Sequence, residues 1–108
     1  MNAKINQGIR VIRLHGAILR KDAERLEAEF SSPDLYHMQS IILDLSDVNY
    51  ICSSALGVFV TFKRKLKHKD IDLKLIVTDE DIRQVFEITM LDKVFEIFRS
   101  SDEAIAKS

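Results

Sequence analysis

Ile41-Ile42-Leu43-Asp44-Leu45-Ser46-Asp47-Val48-Asn49-Tyr50-Ile51-Cys52-Ser53-Ser54-Ala55-Leu56-Gly57 changes its hydrophobic period part-way along. Ile41 to Leu45 is almost continuously apolar, whereas a half-exposed strand would alternate apolar with polar residues. The run predicts a strand covered on both faces, at the centre of a sheet. Beyond Ile51, the residues Ala55, Phe59, Phe62 and Leu66 fall at i, i+4, i+7 and i+11, with Leu56 and Val60 widening the stripe. That spacing predicts a helix of about four turns with one buried face. Ser53 or Ser54 then stands where an N-cap hydroxyl would accept from a first-turn N–H. A hydroxyl is thus held at the positive end of a helix dipole, just past a buried strand.

Working outward, Met1 to Ile5 reads as a short edge strand and Asn6-Gln7-Gly8 as a turn. Ile9, Val11, Ile12 and Leu14 form a second strand that ends at Gly16. Ala23, Leu26 and Phe30 mark an amphipathic helix from about Lys21, stopped by Ser31-Ser32-Pro33. Leu35, Tyr36 and Met38 in the following loop are expected to pack back on the core. Leu73, Leu75, Ile76 and Val77 predict another core strand. Thr78 then caps a helix with Asp81 in capping-box position, and Ile82, Val85, Phe86 and Thr89 share one face. Leu91 to Phe98 is a short apolar segment, strand or helix. Ser101 caps a small terminal helix to Ala106. Strands alternating with helices imply crossover connections, hence an α/β fold with a mixed central β-sheet of about four strands packed with α-helices.

The chain has 108 residues, 16 basic and 17 acidic side chains and a net charge of -1, so it carries no overall field to recruit a polyanion. Direct nucleic-acid binding is not expected. A lone Cys52, and neither a signal segment nor a run of eighteen apolar residues, predict a reduced, cytoplasmic setting without membrane insertion. His15, His37 and His68 share no ligand spacing with Cys52, and no metal or other cofactor is expected. The basic run Lys63, Arg64, Lys65, Lys67, His68 and Lys69 reads as a solvated helix end whose cations suit the dipole.

Leu43-Asp44-Leu45-Ser46-x-Val48-x-x-Ile51-x-Ser53-Ser54-x-Leu56-Gly57 resembles the signature of the STAS domain, the fold of bacterial anti-sigma factor antagonists. The resemblance runs on through Gly16, Leu91-Asp92-Lys93-Val94-Phe95 and Ser101-Asp102-Glu103-Ala104. It implies a single STAS domain over 1–108 that binds an anti-sigma factor, a Ser/Thr protein kinase of the histidine-kinase-like ATPase type, and so releases a sigma factor. By position, Ser53 rather than Ser54 matches the family's phosphorylated Ser, leaving Ser54 as the cap. The implied partner surface is Leu19, Cys52, Ser53 and Ser54 with Val58, Thr61 and Lys65 on the exposed side of the helix. A homodimer is compatible with it.

This chain departs from the family pattern at several places. Cys52 replaces the family's Asp, and Ala55 its first Gly. Ile18 or Leu19 stands where members often carry an acid, and Met90 and Asp70 where they often carry Gly. Missing acids beside Ser53 imply a weaker phosphoacceptor. They also suit a second reading, a STAS subunit of an ABC-type transport system or a small-ligand-binding STAS module without a phospho-switch. An enzyme is not expected. Cys52 at a helix start could have a lowered pKa, but His68 lies roughly 20 Å away at the other end of the helix, at about 1.5 Å per residue. A packed thiol is the simpler reading. Asp44 and Asp47 would point apart, as a structural loop pair rather than an acid-base couple.

Overall fold

The computed structural model describes residues 8–106. Along the chain these form β1 (Ile9–Ile18), α1 (Ala23–Phe30), β2 (Ser40–Ile51), α2 (Ser53–Lys67), β3 (Asp72–Ile76), α3 (Glu80–Ile88), β4 (Glu96–Phe98) and α4 (Ser101–Ala106). The sheet order is β1-β2-β3-β4, with every described pairing parallel. The sheet is thus parallel among the described residues, where a mixed one was expected; the edge strand expected at Met1 to Ile5 lies outside the described residues.

Strands laid down in one direction and joined by right-handed crossovers place every connecting helix on the same face. Accordingly Ile41, Leu43 and Leu45 of β2 share one core with Leu26 and Phe30 of α1, Phe59, Phe62 and Leu66 of α2, and Ile82 and Phe86 of α3. Ile42 points the other way, into a smaller cluster with Ile76 and Ala104 of α4. Two covered faces explain why the β2 run lacks alternation. α1 meets α2 through Phe30, whose ring stacks on Phe62 at 4.2 Å between centroids.

Several local expectations are corrected. β1 does not stop at Gly16 but continues to Ile18, because β2 carries an extra residue at each of two register shifts and Gly16 takes φ +77° between them. The cap of α3 is Asp79, not Thr78. Its Oδ1 accepts from the N–H groups of Asp81 and Ile82, while the Thr78 hydroxyl donates to the Ser46 carbonyl at 3.4 Å. At α4 the Ser100 hydroxyl, not Ser101, accepts from Glu103 N–H. Leu91–Lys93 is a 3-10 turn that leads into β4, so the ambiguous segment holds both kinds of structure. Leu35 is buried and Tyr36 and Met38 pack on the core, as expected.

Of the positions at which the family's Gly is replaced, Asp70 and Met90 keep the left-handed conformation, with φ 58° and 65°. Lys74, unremarked in the sequence, is 2% exposed within β3. Its ammonium donates to the Ala104 carbonyl at 3.1 Å and lies 5.9 Å from the Phe98 ring centroid, which ties α4 to the sheet.

Candidate functional site

Among the described residues β2 is the longest strand, and only its Ser40 to Asp44 pair with β3. Its remainder pairs, among the described residues, with the end of β1 alone, forming a two-stranded arm that runs roughly 20 Å past β3 at about 3.3 Å per residue. Asp44 anchors the base of this arm. Its carboxylate accepts from Ser46 N–H at 3.0 Å, from the Ser46 hydroxyl at 2.6 Å and from Arg13 Nε at 3.2 Å. Asp47 is exposed and faces His15 in the register, so the two carboxylates do not converge.

The arm ends where Cys52 N–H donates to the Ile18 carbonyl at 3.0 Å, which brings the loops after β1 and β2 together. α2 starts there. Cys52, not Ser54, is its N-cap residue, in extended conformation with φ -80° and ψ 164°, and its carbonyl accepts the first helical bond from Leu56 N–H at 3.1 Å. Ser53 and Ser54 occupy the first two helical positions and are exposed. The cap side chain is therefore a thiol, with Sγ 3.2 Å from the Ser54 hydroxyl.

Cys52 is half-buried and packs against the main core. Burial pushes its thiol pKa up, but the Ser54 hydroxyl and the N–H groups of Ala55, Ser54 and Cys52 outweigh this, so the net direction is down. No first-turn N–H makes a cap hydrogen bond to the sulfur. The N–H groups therefore act on the sulfur as the positive end of the helix rather than as bonded partners.

Leu19 is 38% exposed, and Asp22 closes the same turn through its N–H, which donates to the Leu19 carbonyl at 2.9 Å. The Asp22 carboxylate accepts from Leu19 N–H at 2.8 Å and pairs with Arg25 at 3.1 Å, so it is held within its own turn. Tyr50, which the sequence reading passed over, is 52% exposed on the arm opposite Ala17. Strand alternation could have found it, since Ile51 points inward and its neighbour must point out.

Val58, Thr61 and Lys65 line one shallow cleft with Glu27 and Phe30 of α1. The predicted residues thus fall into two groups: Leu19, Cys52, Ser53 and Ser54 at the tip, and Val58, Thr61 and Lys65 along the α1 side of α2. Spacings of three and four residues make them one ridge. Among the described residues no cluster of His, Cys, Asp and Glu is arranged to hold a metal ion, and no helix is long and apolar enough to cross a membrane.

The sequence profile of the STAS domain matches residues 1–104. The chain belongs to the STAS domain family. A Bordetella bronchiseptica protein named "Putative anti-sigma factor antagonist BtrV" is 29% identical to this STAS domain over 99 residues, 92% of this chain and 85% of the relative. The crystal structure of an anti-sigma factor antagonist from Mycobacterium paratuberculosis superposes with a TM-score of 0.83 at 23% identity, over 93% of this chain and 85% of that one. A sulfate transporter family protein from Wolinella succinogenes superposes with a TM-score of 0.77 at 16% identity, over 93% of this chain and 84% of that one. The STAS architecture is common to both kinds of protein, so these likenesses establish the fold alone.

Proposed function

We propose that this chain, as a single STAS domain, is a cytoplasmic anti-sigma factor antagonist: it binds an anti-sigma factor and thereby frees a sigma factor. The tip residues Leu19, Cys52, Ser53 and Ser54 and the ridge Val58, Thr61 and Lys65 form the docking surface. The partner is a Ser/Thr kinase of the histidine-kinase-like ATPase type, and its phosphoacceptor on this domain is Ser53. Supporting this is the relative over nearly the whole chain that bears the name of an anti-sigma factor antagonist. The observation that carries the reading is the exposed Ser53 hydroxyl at the first position of a 15-residue helix, at the end of the projecting arm.

The chemistry follows from that placement. A phosphoryl group adds roughly -1.5 to -2 charge and strong acceptor oxygens. At a helix start the fold accepts it, since free N–H groups and the dipole favour anions there. At an interface the same charge must be desolvated, which opposes docking. Phosphorylation thus separates the partners without unfolding the domain. Incubation with ATP and candidate kinases of the same cell, followed by intact-mass measurement and peptide mapping, tests it. A phosphate on Ser53 that abolishes kinase binding establishes the switch. A kinase that binds without modifying the loop makes the protein a constitutive antagonist, and failure to bind any such kinase sinks the proposal.

A second reading is favoured by the apolar Leu19 and Cys52 in the places of acids and by the fold shared with the sulfate transporter family protein. In it the domain is a transport-system subunit or ligand-binding module with no phospho-switch. Capture of a transporter ATPase in place of a kinase in the same binding experiment selects it.

A further inference from the structure

At the far end of α2 from Ser53, the helix meets the turn at Pro33–His37 in an open groove of about 600 Å³. Pro33 and Tyr36 supply apolar surface, and His37, Lys65, His68 and Lys69 supply polar nitrogen; among the described residues no carboxylate lines the groove. The Tyr36 hydroxyl donates to the Phe30 carbonyl at 2.8 Å, which fixes the ring in place. Lys65 and Lys69 make no ion pair among the described residues. Backbone N–H groups already take three of the last four carbonyls of α2, His68 to Arg64, Lys69 to Leu66 and Asp70 to Lys67. The cations are thus largely left over from the helix's own requirements, and the tertiary fold sets an ordered aromatic beside them.

We propose that this groove is a docking site for an acidic protein segment that carries an aromatic or large apolar side chain. Charge complementarity selects the acidic residues, and the Pro33 and Tyr36 surface selects the apolar anchor. The groove is open rather than enclosed, which suits an extended segment better than a small molecule that must be surrounded. Rim cations of this kind set association rate and salt dependence, while the desolvated ring contact sets residence time. The groove lies at the far end of α2 from the Ser53 tip and shares only Lys65 with the docking ridge proposed above; its occupant follows from the groove's own chemistry.

The test is a two-dimensional amide NMR titration of the intact chain with the blocked peptide Glu-Glu-Asp-Phe-Glu-Asp-Glu-Glu. Saturable shifts at Tyr36, His37, Lys65, His68 and Lys69 are expected. The double variant Lys65→Glu and Lys69→Glu should weaken binding about tenfold or more, as should Ser in place of the peptide's Phe. Lys21→Glu, at the other end of the molecule, should leave it unchanged. Both lysines of the double variant are exposed, so an unaltered circular dichroism spectrum serves as the folding control. Absent or unsaturable shifts, shifts spread over every basic surface, or shifts centred on the Ser53 loop overturn the proposal. Equal binding of a thymidine oligonucleotide of matched charge overturns it too, since the groove would then be a general anion patch.

Discussion

Replacing Ser53 with Glu should stabilise the domain while removing its partner. α2 is 15 residues long, with no acid in its first turn and Arg64, Lys65 and Lys67 in its last, so its positive end is uncompensated by charge. A carboxylate at the first helical position of an exposed helix end is worth about 0.3 to 1 kcal/mol at low ionic strength. With about 2.1 cal/mol/K per residue of unfolding entropy, that corresponds to a rise in Tm of about 1 to 5 °C for a chain of this size. Ser53→Gln matches the shape without the charge and should show no gain. At 1 M salt, where the screening length is about 3 Å, the difference between Glu and Gln should shrink. Thermal unfolding followed by circular dichroism measures this, and a pull-down with the cognate anti-sigma factor measures binding. A fall of several degrees in Tm for Ser53→Glu would show that charge disrupts the fold, so that loss of the partner could no longer be assigned to the interface. Equal Tm values for Glu and Gln at low salt would refute the dipole argument.

Phe59→Ala, at a fully buried position between the sheet and α1, should cost about 3 to 5 kcal/mol in urea unfolding; a loss below about 1 kcal/mol would mean the site collapses freely. Asp79→Ala removes an acceptor of two N–H groups and should cost about 0.5 to 2 kcal/mol, whereas Thr78→Val should cost less if Asp79 is the true cap. Met90→Gly should stabilise by about 1 kcal/mol, since the left-handed backbone strains a side chain that is 57% exposed; a destabilised variant would mean the Met90 side chain contributes more than its exposure suggests. Iodoacetamide labelling of Cys52 against pH should give a midpoint below that of a free thiol, and Ser54→Ala should move it upward. Because the folded pKa is lowered, the thiolate's stabilising contribution is full only above the unfolded thiol pKa and disappears as pH falls through the folded one. Near neutrality it should be small, and unequal unfolding free energies of wild type and Cys52→Ala that did not diverge at alkaline pH would contradict this.

The sequence was most legible where one physical signal acted alone. The apolar run of β2, the stripe of α2 and the helix stop at Pro33 each follow from periodicity or backbone chemistry, and each has its expected place. Caps were harder. At α2, α3 and α4 two or three polar residues stand in succession, and a shift of one residue exchanges their roles without changing composition. Cys52, Asp79 and Ser100 hold the cap positions or make the cap bonds that the sequence assigned to Ser54, Thr78 and Ser101. Lys74 was hidden because a charged residue inside a strand reads as solvent-facing, whereas α4 returns to cover it.

What the sequence determined by itself is the local menu: strands and helices in order, a buried central strand, and a Ser-Ser pair opening a helix. These depend on neighbours within one or two turns, which the chain carries with it. The tertiary structure alone decided which of those residues meet. Extra residues in β2 against β1 extend the arm and carry Ser53 beyond the sheet. Asp22 turns back on Leu19 and Arg25 rather than toward Ser53. Tyr36 and His37, far away in the chain, come to stand beside Lys65 and Lys69. Such contacts depend on strand register and helix packing, which no stretch of sequence fixes alone.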